Sequence, residues 1–155
     1  MGLLNIVLLS ALLATCFADE AFFSACDEAT EETCKITAVN ITPCQQDKHK
    51  SKCGIRRKTN ATLAFDYTPS FDSTNLESAI YWASKTGDLP FPGMDKNGCV
   101  YTSCPVAAGQ TQTMTYELQL GRKLPLGNFL LKLKLNDADD KTKLCCFKTT
   151  IQIKK

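Results

Sequence analysis

Cysteine limits this chain more than any other residue. The sequence holds nine, against a single histidine. Residues 1–18 carry no charged side chain, Leu3 to Leu13 is apolar apart from Asn5 and Ser10, and Cys16-Phe17-Ala18 puts small residues where a signal peptidase reads. This layout predicts a signal peptide over residues 1–18 and a mature domain over residues 19–155. The apolar run is too short for the roughly 20 residues of a bilayer span. Cys16 leaves with the leader, so Cys26, Cys34, Cys44, Cys53, Cys99, Cys104, Cys145 and Cys146 remain in an exported chain. An even number in an oxidising compartment reads as a disulfide framework. The expected location is secreted and extracellular, with the lysosomal lumen as a second destination.

Eight cysteines allow about 105 pairings. Cys44 with Cys53 and Cys99 with Cys104 each enclose a short polar loop, which favours local closure. Cys145 and Cys146 are adjacent and do not readily bond to each other, so each should reach Cys26 or Cys34. Spacing leaves both arrangements open. Either long link stabilises by on the order of 4–5 kcal/mol in the chain-entropy picture. With no CxxC and no histidine at ligand spacing, neither a zinc site nor any other metal is expected.

The mature chain reads as strands. Ala61, Leu63, Phe65 and Tyr67 alternate with Asn60, Thr62, Ala64 and Asp66. The same period of two runs through Met114, Tyr116, Leu118 and Leu120, through Phe129, Leu131, Leu133 and Leu135, and through Phe147, Thr149, Ile151 and Ile153. Such rows mark sheets with one buried face. Weaker strands are expected at Lys35 to Thr42 and Leu76 to Ser84, with breakers from Pro43 to Asp137–Lys141 between them. Six or seven antiparallel strands of this kind make a β-sandwich or a barrel. Asn40-Ile41-Thr42 and Asn60-Ala61-Thr62 fit N-x-[ST], so Asn40 and Asn60 are the expected glycosylation sites. Both fall on the solvent side of their strands.

Other classes find little support. A net charge of +2 lacks the concentrated basic excess of a nucleic-acid binder. His49 sits in the hydrophilic stretch Gln45 to Lys52, and no G-x-S-x-G elbow exists. Asp137, Asp139 and Asp140 resemble part of a calcium loop without its glycine and terminal glutamate, so a hairpin turn accounts for them better. The expected protein is therefore not an enzyme and needs no cofactor. Along the clearest strands every Lys, Asp and Glu lies on the outward parity. Parity alone does not separate a filled core from a hollow one.

Four stretches are informative when read together: Val39-Asn40-Ile41-Thr42-Pro43-Cys44, Leu89-Pro90-Phe91-Pro92 leading to Asn97-Gly98-Cys99, Cys104-Pro105, and Leu144-Cys145-Cys146-Phe147 followed by Ile151-Gln152-Ile153. In this order they resemble the MD-2-related lipid-recognition (ML) domain, in the Niemann-Pick type C2 branch that includes the group 2 mite allergens. The resemblance covers Cys26 to Ile153. It implies an all-β fold, an immunoglobulin-like two-sheet antiparallel β-sandwich with disulfides and an internal apolar pocket. It also implies the pairs Cys44–Cys53, Cys99–Cys104 and Cys26–Cys146. Cys34 and Cys145 have no family counterparts and are expected to form a fourth bond, with the swapped pairs Cys26–Cys145 and Cys34–Cys146 as the alternative.

By the same resemblance the Pro-Phe-Pro segment lies at the pocket mouth, making Leu89 and Phe91 one lip and the loop with Leu124 and Leu126 the other. Combined with the inward rows, the expected lining is Phe65, Tyr67, Ile80, Trp82, Met114, Tyr116, Leu118, Phe129, Leu131, Leu133, Phe147 and Ile151. An aromatic that sterol-transfer members carry soon after the second lip has no equivalent, because Phe129 belongs to the next strand. The expected function is a secreted, monomeric carrier that holds one fatty acid, sterol or similar lipid. Alternatives are a carrier of long-chain semiochemicals and an innate-immune recognition module for microbial lipids. A membrane receptor or lipid-accepting protein is an expected partner, and nucleic acid is not. An ionised head group has to stay at the mouth, because a charge inside is costly; Lys85, Lys96, Arg122 and Lys123 are the rim cations within the expected reach.

Overall fold

Alternation becomes strand wherever the sequence sustains it. A computed structural model describes residues 20–49 and 51–155. The expected leader and Cys16 lie outside the described residues. The long strands are β2 (Cys34–Thr42), β5 (Asn60–Pro69), β6 (Leu76–Ala83), β8 (Gln112–Gln119), β9 (Gly127–Asp137) and β10 (Leu144–Lys154). Short strands that no alternation announces complete the set: β1 (Phe23–Ala25), β3 (Gln45–Gln46), β4 (Cys53–Arg56) and β7 (Leu89–Pro90). Among the described residues the only helical element is a 3₁₀ turn at Gly98–Val100.

Two sheets form. The smaller is β2-β5-β8; the larger runs β3-β4-β10-β9-β6-β7, with β1 also on β10. Pairing is antiparallel with one departure, β4 beside the end of β10, where Cys53 faces Ile151 and Arg56 faces Lys154 in parallel. The chain leaves the small sheet at Pro43, and the β3–β4 hairpin, closed by Cys44–Cys53, lays β4 along that edge.

Register sets which side chains meet. On β2, Ile36 faces Tyr67 while Ala38 faces Asp66, so a bulge absorbs Thr37. An extra residue reverses the pleat parity. Inward positions therefore change from Cys34 and Ile36 to Val39 and Ile41. Val39, Ile41, Leu63, Tyr67, Met114, Leu118, Leu131 and Ile151 expose no surface to water. Each large apolar side chain buried this way stabilises by about 1.5–3 kcal/mol. Strand β9 runs two residues beyond Leu135, the last of its apolar row, so Asp137 takes an inward parity at the row's far end. Its Oδ1 accepts the backbone N–H groups of Asp139 at 2.9 Å and Asp140 at 2.8 Å, which makes the acidic cluster the β9–β10 turn.

All four expected disulfides form: Cys26–Cys146, Cys34–Cys145, Cys44–Cys53 and Cys99–Cys104. The pleat explains the two long ones. Adjacent residues on a strand point to opposite faces. Cys145 points inward and joins β10 to Cys34 of the other sheet, within the main core. Cys146 points outward and holds the segment after β1, where it packs with Cys26, Leu144 and Ala29. Asn40 and Asn60 both sit on the outward parity of the small sheet; Asn40 faces Ala64, and Asn60 begins β5.

Candidate ligand-binding site

The seam between the sheets is lined by aromatic rings from both. Phe65 of the small sheet lies 4.8 Å from Phe147 of the large one, edge to face. Tyr67 is 5.8 Å and Tyr116 6.3 Å from Phe65, and Tyr101 is 4.4 Å from Tyr116. Phe23 reaches Phe147 at 6.0 Å from the edge strand β1. The two buried phenols stay neutral. Burial pushes Tyr116 far above the usual phenol range, and its hydroxyl donates to Met114 Sδ at 3.3 Å. Burial also raises Tyr67, whose hydroxyl bonds Thr102 Oγ1 at 3.1 Å. The middle of the seam therefore holds aromatic and aliphatic surface and no charge.

One end of the seam differs. Trp82 packs between Phe91 at 4.9 Å and Phe129 at 5.0 Å. Phe91 is buried and its N–H donates to the Ile80 carbonyl at 2.8 Å, which pins the Pro-Phe-Pro turn onto β6. Trp82, Phe129, Leu124 and Met94 are only half-buried, yet they pack against the main core. A recess of about 90 Å³ lies beside Phe91, Pro92, Gly93 and Met94, with Glu117 and Gln119 of β8 across from it. It therefore marks where the large sheet's Pro-Phe-Pro turn meets the small sheet.

The expected lining residues divide into three groups. Phe65, Tyr67, Ile80, Met114, Tyr116, Leu118, Leu131, Leu133, Phe147 and Ile151 meet in the buried seam, each 2% exposed or less. Trp82, Phe91, Leu124 and Phe129 come together at its aromatic end. Leu89 and Leu126 are 66% and 48% exposed, so both face water on the outside of the lips. Sequence reasoning missed Met94 and Tyr101, which lie in loops without alternation, and Arg57, whose Nε is buried without a hydrogen-bond partner among the described residues. His49 is exposed in its loop. Among the described residues no three His, Cys, Asp or Glu side chains gather where they could hold a metal ion.

Two facing sheets, a charge-free aromatic seam and a disulfide between the layers define an immunoglobulin-like, stapled β-sandwich. Comparison with known proteins gives the particular family. The sequence model of the ML domain matches residues 20–153. An MD-2-related lipid-recognition protein of Manduca sexta is 40% identical over 157 residues, covering 100% of both chains. The mite group 2 allergen Tyr p 2 of Tyrophagus putrescentiae is 23% identical, covering 84% of this chain and 86% of its own. Among solved structures, a Niemann-Pick type C2 protein from Japanese carpenter ant superposes with a TM-score of 0.72 at 20% identity, covering 86% of this chain and 99% of that one. The chain belongs to the ML domain family, a family of lipid-recognition proteins.

Proposed function

We propose that the protein is a secreted carrier that takes one small hydrophobic molecule (a fatty acid, a sterol or a similar long-chain lipid) between its two sheets and moves it through aqueous fluid. The observation that carries this reading is the half-buried Trp82, set between Phe91 and Phe129 where an uncharged seam reaches the surface. The sheets of such a sandwich stand about 10 Å apart. Parting them at the aromatic end lets an acyl chain replace side-chain contacts along the seam. About sixteen methylenes at about 0.8 kcal/mol each give a gross transfer of about 13 kcal/mol. Lost freedom on association offsets about 4–15 kcal/mol of that. Apolar area therefore supports binding without fixing its strength.

Trp82 is the only tryptophan and makes its own reporter. Native mass spectrometry of the secreted protein should find one lipid equivalent. Titration of the stripped protein with oleate, cholesterol or a long-chain hydrocarbon should shift its emission. A polypeptide that carries no lipid and whose emission ignores all three overturns the carrier reading. The Manduca sexta relative, described as a lipid-recognition protein, favours a second reading in which the bound lipid is presented to a protein receptor. A bacterial glycolipid as the co-purifying species would select it, whereas a long-chain hydrocarbon would select carriage of a chemical signal.

A further inference from the structure

We propose that Arg57 anchors the anionic head group of the lipid, so that the preferred ligand is a single-chain lipid ending in a carboxylate or phosphate. This rests on the carrier reading above and deepens it. Arg57 follows β4, with its N–H on the Lys154 carbonyl at 2.9 Å. Its neighbour Lys58 donates to the Leu120 carbonyl at 2.6 Å, and Leu120 donates back to Thr59 at 3.1 Å, which laces this turn to the loop after β8. From there the guanidinium reaches the lip. Its Nη1 meets the Leu124 carbonyl at 3.5 Å, and Leu124 itself packs against the core.

The guanidinium is poorly satisfied there. Arg57 Nε is buried and has no hydrogen-bond partner among the described residues. A contact of 3.5 Å is at the long limit of a hydrogen bond. A buried cationic donor without an acceptor destabilises the fold unless something completes it. Four half-buried or exposed lysines do find carboxylates: Lys132 and Lys134 both pair with Glu28, Lys141 with Glu77, and Lys148 with Asp27. Around Arg57 the chain supplies no carboxylate from its own segments. Residues 52–65 include Lys52, Arg56 and Lys58 and no Asp or Glu, and residues 118–136 include Arg122 and Lys123 and again no acid. Lys58 and Arg122 also line an open recess of about 250 Å³ beside this turn, which Arg57 itself does not enter, so the neighbouring charges are basic.

The Nε edge of a guanidinium offers two parallel N–H groups, the spacing that two oxygens of a carboxylate or phosphate accept together. An anionic head group on this edge would complete the orphaned donor. Its tail would begin beside Leu124 and run along Phe129 and Trp82 into the seam. The exposed rim cations expected from sequence offer charge without this desolvated geometry.

The test compares matched ligands on the full secreted protein: palmitate against methyl palmitate, and lysophosphatidic acid against monoacylglycerol, read by Trp82 emission. Wild type should prefer the anionic member of at least one pair by about tenfold or more, and that pair identifies the source as fatty acid or phospholipid. Arg57→Met should reduce the preference to within about twofold, with a wild-type denaturation midpoint certifying that the variant folds. Arg57→Lys, which keeps charge without the fork, should retain part of the preference. Equal affinity for anion and ester in wild type, or a preference that survives Arg57→Met, overturns the anchor and leaves the carrier intact. Failure of all four ligands to bind wild type overturns the carrier reading itself.

Discussion

The two ends of the sandwich use the same kinds of side chain to opposite effect. At one end Cys34–Cys145 crosses between the sheets, Cys26–Cys146 fastens the leading segment, and Cys99–Cys104 closes the loop that follows Gly98, a position where any side chain would collide with Leu76. At the other, Trp82, Phe91 and Phe129 meet with no cross-sheet disulfide between them. Covalent links hold the first end whatever lies between the sheets. The second is packed by aromatic contacts on its β6–β7 side, while Cys44–Cys53 fastens only the opposite edge, where the chain crosses from β2 to β4. Stability and binding should therefore map to different residues.

The largest expected effects are at the stapled end and in the middle of the seam. Replacing Cys34 and Cys145 together by alanine should lower the unfolding free energy by about 3–4 kcal/mol, measured by guanidinium denaturation with the other disulfides intact, because Cys26–Cys146 already closes most of the same loop. A loss under about 1 kcal/mol would mean that the staple does not hold the sheets. In the middle of the seam, Phe147→Ala should cost about 3–5 kcal/mol. At the half-buried end, Phe129→Ala should cost about half as much, since less surface leaves water on folding, yet weaken lipid binding by about tenfold. Equal stability losses at Phe147 and Phe129 would erase the distinction between seam and mouth. Leu89→Gln should change stability by about 0.5 kcal/mol or less, because that side chain already faces solvent.

A small, pH-dependent effect tests what couples the ends. Glu28, beside the Cys26 disulfide, pairs with Lys132 at 2.5 Å and Lys134 at 2.8 Å, and Lys132 also holds Asp88 at 3.1 Å ahead of the Pro-Phe-Pro turn. The two lysine ammonium groups hold the Glu28 carboxyl down to about 2, from an ordinary 4.5. A carboxyl depressed in the folded state stabilises it above its unfolded value, and that contribution is lost as pH falls from 4.5 through about 2. Glu28→Gln should cost about 1 kcal/mol or less at neutral pH, because the pair is solvent-screened. The difference from wild type should vanish at the acid end of a denaturation series. A difference that persists below pH 2 would assign the effect to packing instead.

Sequence patterning exposed the long strands because burial with a period of two is a local property. Residues on β5, β8, β9 and β10 each carry their own record of which way they face. Strands of two to four residues, such as β3 and β7, are too short to alternate, and tertiary pairing alone creates them. The bulge at Thr37 had no local sign, although Val39 and Ile41 still fell on the correct side. For the site, the seam was legible from parity and the aromatic end from the family resemblance. Leu89 and Leu126 are exposed, since which residue of each loop turns inward depends on the loop path. Arg57 was invisible for a different reason. A missing partner is a property of everything around a group, and no single residue records it.

The neighbouring Cys145 and Cys146 have a consequence for how the chain matures. Exchanging their partners would require β10 to turn over, sending Phe147, Thr149 and Ile151 into water and Lys148 and Gln152 into the seam. Burial of that row therefore edits oxidation. Only a strand already seated in its correct frame presents each thiol to the right mate, and a chain that oxidised out of frame would be recognisable by its stickiness.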